Sequence, residues 1–158
     1  MQVMLAPVPC IHLESVGGNP KLNARVAFGT SRSGVDQFPI GIPVFIYASQ
    51  PPHAFFRPGV ASWSGTLGAI VKAVERGVRS GKHPDPSVRP ATAEATDGPF
   101  IAFWEVLNLR QLSPPCPLSH FVKVGGGKPF EGDVPQWPVL TEFDPVAGPG
   151  PYGATPVQ

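Results

Sequence analysis

Four histidines, two cysteines and a scatter of carboxylates are the side chains here that could run acid–base, nucleophilic or metal chemistry, so their spacing comes first. His12, His53, His83 and His120 include no pair four residues apart, and Cys10 and Cys116 form no Cys-x-x-Cys. Compact metal sites draw on such closely spaced ligands. The histidines therefore read as surface or loop residues, and neither a metal nor a cofactor is expected. Gly125-Gly-Gly-Lys128 lacks the full phosphate-loop pattern and a buried strand before it, so it reads as a flexible turn. Ser62-Trp-Ser-Gly65 departs from the Gly-x-Ser-x-Gly of a nucleophile elbow. Cys116, set between prolines, would need a nearby base and a lowered pKa to attack anything. Glu75, Asp85, Glu94, Asp97 and Glu105 are too scattered to make a fixed carboxylate pair. The expectation is a protein that is not an enzyme.

Aromatic residues carry a different signal. Phe28 stands just before a polar loop, Phe55 and Phe56 lie in a long loop, and Trp63 precedes an apolar run. Trp104 sits inside a strand-like run and reads as core. Around the loop aromatics stand Thr30, Ser31, Arg32 and Arg57. Aromatic faces can stack on planar bases for about 1–3 kcal/mol each. Neighbouring donors can then read the edge of a base taken out of its stack.

The elements that must position these side chains are short. Proline (22) and glycine (18) make up about a quarter of the 158 residues and mostly punctuate apolar runs. Charged residues are only 15% and the net charge is +1, which gives no broad basic field for non-specific nucleic-acid binding. The longest apolar stretches fall short of the ~20 residues that span a bilayer, and the first ten residues lack the features of a secretory signal. A soluble chain with a cytoplasmic location is the default expectation, with no membrane partner.

Along the chain, residues 11–16 read as an opening strand closed by Gly17-Gly18-Asn19-Pro20, and 21–28 as a short helix led by Pro20. Residues 42–49 form the clearest strand. A long loop is expected over 50–64. A strand follows over 65–74, whose two glycines suggest a bulge or a close backbone approach. After a polar connection, residues 99–109 read as a long strand, 118–121 as a short turn, and 134–141 as a final edge-type segment. One domain over 1–143 and a disordered Pro/Gly-rich tail over 144–158 complete the division.

Phe28-Gly-Thr-Ser31, Ile42 to Ser49, Gly65 to Val71, Phe100 to Leu112 and Pro117 to Phe121 together resemble the PUA-like superfamily, with EVE and YTH domains nearest in pattern. The resemblance covers about residues 10–142. It implies an α+β, β-rich fold, a small curved PUA-like β-barrel with a few short flanking helices. It also implies a non-catalytic nucleic-acid-binding module that reads a modified or flipped base of RNA or DNA in an aromatic pocket. Phe28, Thr30, Ser31 and Ser49 match pocket positions of that pattern, and Trp63, or Phe55 and Phe56, would stand in for a second cage aromatic. Arg32, Arg57, Arg76 and Arg79 are the expected phosphate contacts, with Lys82 and Arg89 nearby. Two alternatives stay open: a protein-interaction domain using the loops Pro51-Pro52 and Ser113 to Pro117, and a small nucleoside amidohydrolase resembling ASCH domains.

Overall fold

The computed structural model describes residues 1–32, 34–49, 59–73, 82–90, 92, 100–124, 130 and 135–144. The strands are β1 (Gln2–Pro9), β2 (Arg25–Thr30), β3 (Pro43–Ser49), β4 (Val60–Lys72), β5 (Ala102–Pro117), β6 (Phe121–Lys123) and β7 (Val139–Phe143), with helices α1 (Cys10–Gly17) and α2 (Pro20–Ala24) between β1 and β2. They form one seven-stranded mixed sheet in the order β2-β5-β4-β3-β1-β7-β6, parallel only between β1 and β3. No ladder joins β2 to β6, so the sheet is open. Among the described residues no helix is long and apolar enough to cross a membrane.

The middle of the sheet is buried on both faces. Met4, Ala6 and Val8 of β1 and Val44, Ile46 and Ala48 of β3 enter one core, while Val3, Leu5, Phe45 and Tyr47 enter a second. A strand covered on both sides has no polar face to alternate with, which is why 42–49 reads as a continuous apolar run. The first core also takes Val26 and Phe28 of β2, Trp63 and Leu67 of β4, and Trp104, Val106 and Leu109 of β5. Arg32, just beyond β2, lies 3.7 Å from the ring centroid of Trp137, just before β7, although β5, β4, β3 and β1 stand between those two strands in the sheet, so the sheet curls strongly.

Several expected elements differ. Residues 11–16 belong to helix α1, not to a strand: Cys10, Leu13 and Val16 are all fully buried, and their three-residue spacing outweighs the loose alternation. Asn19-Pro20 does start a helix. The Asn19 carboxamide oxygen accepts from the Lys21 and Leu22 amides at 3.1 and 3.3 Å. That helix ends at Ala24, however, and Phe28 lies on β2. Residues 60–64, expected in a loop, are the first half of β4, paired with both β3 and β5. The last segment is no edge, because β7 lies between β1 and β6. Residues 145–158, most of the expected tail, lie outside the described residues.

The glycines of β4 do what their positions suggested. A Cβ on Gly65 would meet the Val106 side chain and sit 2.8 Å from the Leu107 carbonyl oxygen. The register between β4 and β5 also shifts between Leu67 and Ile70, the stretch that holds Gly68. Gly65→Ala should therefore overpack the strand pair, at a cost of about 1–3 kcal/mol, or roughly 2–12 °C of melting temperature in a chain of this size. Gly18→Ala is the control, since a Cβ there meets nothing within 4 Å. Equal melting temperatures for the two variants would contradict the close approach.

Candidate functional site

Where the parallel strands β1 and β3 end, a cleft of about 840 Å³ opens, within the ~300–1,000 Å³ usual for ligand sites. Pro7, Val8 and Pro9 of β1 and Tyr47 and Ser49 of β3 line one side, and His12 from the first turn of α1 adjoins them. The end of β2, Phe28 to Thr30, leads into Ser31 and Arg32 on the other side. Phe100 and the segment Pro135 to Pro138, which leads into β7, complete the lining.

Five of the site residues expected from sequence thus meet on one cleft: Phe28, Thr30, Ser31, Ser49 and Arg32. Phe28 is only 4% exposed, and its ring tilts onto Trp104 at a centroid distance of 5.1 Å. It forms a floor more than a free stacking face. The Thr30 hydroxyl accepts the Arg32 amide at 3.1 Å, and this local turn fixes the backbone that carries Arg32. Trp63 is not among the lining residues. It is 3% exposed in the first core, because its segment is a central strand and not a loop. Arg57, Arg76 and Arg79, with Phe55 and Phe56, lie outside the described residues. Arg89 turns inward and donates its Nε to the His83 carbonyl at 2.9 Å.

Trp137 is the aromatic that sequence reasoning passed over. It is 40% exposed, lines the cleft, and carries the Arg32 guanidinium 3.7 Å from its ring centroid. Its flanking residues held the clue: Pro135 and Pro138 bar a regular central strand, so the tryptophan between them belongs to a connection. Tyr47 offered no such signal, being one more aromatic in an apolar strand. Its hydroxyl is buried without a hydrogen-bond partner among the described residues, and burial raises its pKa, so it remains an O–H donor across the physiological range. Asn23, Ser62, Trp104, His120 and Thr141 also bury polar atoms without partners, and none of them lines the cleft. His12 lies 7% exposed with its Nδ1 2.6 Å from the Thr92 hydroxyl, and burial lowers its pKa, favouring the neutral ring. Tyr47→Phe removes an atom that bonds to nothing among the described residues. The variant should melt at or slightly above the wild-type temperature, and a loss of several degrees would show that the hydroxyl has a structural partner.

Two other groups of titratable side chains are structural. The Glu105 carboxylate, 3% exposed, receives Arg25 Nε and Nη2 at 2.9 Å each and His83 Nε2 at 2.8 Å. His83 Nδ1 accepts the Asp85 amide at 2.9 Å, so the ring proton belongs on Nε2, facing Glu105. Three donors thus meet the two carboxylate oxygens and hold Glu105 as the centre of an ion-pair network. The second group, Cys116 and His120, places Sγ 3.7 Å from Nδ1. Burial pushes the thiol pKa up to about 12 and lowers that of the imidazole, partly offset by Asp144. This base is near, yet the thiol is not activated. Among the described residues no His, Cys, Asp and Glu side chains group as metal ligands.

The Arg25 hydrogen bonds hold the Glu105 pKa below the usual glutamate value, with His83 adding to the effect. A depressed carboxylate contributes stability above the unfolded pKa, about 4.3, and loses it as pH falls through the folded value. The stability gap between wild type and Glu105→Gln should therefore shrink progressively below about pH 4.3. Urea titrations at a series of pH values will read this, and a gap independent of pH would contradict it.

No protein-family model matches the chain, and no curated protein matches its sequence.

Proposed function

We propose that the chain is a non-catalytic nucleic-acid-binding module that takes a flipped or modified base into the cleft between β2 and the start of β7. Support comes chiefly from one observation: Phe28, Thr30, Ser31, Ser49 and Arg32, chosen from sequence for this role, line the same cleft, where Trp137 supplies an exposed aromatic face. In this reading the base stacks on Trp137, with Phe28 beneath. The Tyr47 hydroxyl and the hydroxyls of Ser31 and Ser49 meet its edge. Arg32 contacts the adjoining phosphate, a role suited to its planar, permanently charged fork. The curl of the open sheet and the placing of α1 and α2 between the first two strands lend support to the resemblance of this chain to the PUA-like superfamily.

The test is direct because the tryptophans differ in exposure: Trp63 and Trp104 are 3% and 0% exposed, Trp137 is 40%. Titration with short single- and double-stranded DNA and RNA, with and without methylated bases, should give saturable quenching that favours one of them. Anisotropy of a labelled oligonucleotide then reads affinity independently of the protein's fluorescence. Trp137→Ala should weaken binding by about 1–3 kcal/mol, roughly 5- to 150-fold, while Trp137→Phe keeps much of it. No saturable binding at low salt by any oligonucleotide would overturn the proposal and favour a protein-interaction domain.

A further inference from the structure

Arg32 and Trp137 border a second cavity as well as the first. This one, about 320 Å³, is lined by Gly34, Val35 and Phe38 on one side and by Val139 and Leu140 of β7 on the other, and it shares Thr30, Arg32, Trp137 and Pro138 with the larger cleft. Its volume reaches the lower end of the range for small-ligand sites. The Arg32 guanidinium lies over the Trp137 indole, its carbon 3.7 Å from the ring centroid, and both groups border both spaces.

Building on the base-binding reading above, we infer that the second cavity is a subsite for the neighbouring nucleotide, so that the site holds a two-nucleotide step. Three features fit this occupant. The second space is lined mainly by aliphatic side chains and Phe38, which suits the face of a base and not a charged group. A cation sits at the junction, where the phosphodiester between two bases would cross from one cavity to the other. The shared border includes two flat groups, a guanidinium and an indole, of the kinds that stack against bases. Asp36, in the short 3-10 helix Val35–Gln37 between Gly34 and Phe38, is exposed and does not line the cavity, so it places no like charge beside the phosphate.

The experiment compares, for the full chain, a panel of nucleosides with and without base methylation, the dinucleoside monophosphates that extend the tightest of them on either side, and methylphosphonate versions in which the linkage is uncharged. Calorimetry should show one of the two dinucleotides binding at least tenfold more tightly than the nucleoside alone, with most of that gain absent from the methylphosphonate. Phe38→Ala should abolish the gain and leave nucleoside affinity within twofold, thermal melting showing that the variant is folded. Equal affinity for nucleoside and both dinucleotides would overturn the second subsite and leave the base reader standing. Should neither nucleosides nor dinucleotides bind, the second subsite falls, while the base-reading proposal is decided separately by the oligonucleotide titration. The wild-type comparison decides the matter even if Phe38→Ala fails to fold.

Discussion

The cleft exists because one long strand is forced to bend. β5 runs for 16 residues and pairs with β2 along its first part and with β4 along most of its length. At Asn108 its backbone enters the left-handed region, with φ at 55°, a conformation that asparagine tolerates better than most residues. The consequence is visible in the side chains. Trp104 and Val106 face the first core, then Leu109 takes that place out of turn. Leu112 and Cys116 beyond it join the second core. Between Ser64 and Thr66 of β4 the register slips, as it does twice more along the pair. Such irregularities bend a strand and sharpen its twist. In strand order β2 is separated from β1 by β5, β4 and β3. Only the curl sets Phe28 and Arg32 beside Val8 and Trp137.

Around that curl, polar contacts secure the strand that carries the site. Arg25 at the start of β2 is clamped to Glu105 of β5, and Glu105 is held in turn by His83. At the other end of β2, Thr30 caps the turn that presents Arg32, and the Thr30 carbonyl accepts the Ile101 amide at 2.9 Å. Gly29 fits between these anchors because the Phe100 ring packs where a Cβ would sit, 2.7 Å away. The β2 side of the cleft is therefore built on a fixed strand end. A buried donor without a partner is costly in a folded protein, and Tyr47 keeps one beside this cleft.

Much of the fold could be read from residues with a single physical meaning. Asn19-Pro20 announced a helix start, Ile42 to Ser49 a buried strand, and Gly65 a close approach, since each signal is local. The errors came where tertiary burial chose between local options. Cys10 to Gly17 alternates well enough for a strand, yet the inside of the curled sheet needed a plug with Leu13 and Val16 turned inward. Prolines 51, 52 and 58 suggested a loop running to Ser64, but long-range pairing with β5 begins at Val60. The site was legible on its β2 and β3 sides, where hydroxyls and Arg32 follow strands directly. Its far wall was not. Trp137 lies more than a hundred residues from Phe28 in sequence, and only the curl of β5 brings the two together.

The most direct test of the cleft as the binding site is a nitrogen-15 NMR titration of the full chain with the oligonucleotide that binds best. Binding in the cleft will shift the amides of Val8, His12, Phe28 to Arg32 and Ser49 together with the Trp137 indole, and will leave the Trp63 and Trp104 indoles nearly still. Shifts confined to other surfaces, with the Trp137 indole and the Phe28 to Arg32 amides unmoved, would contradict it.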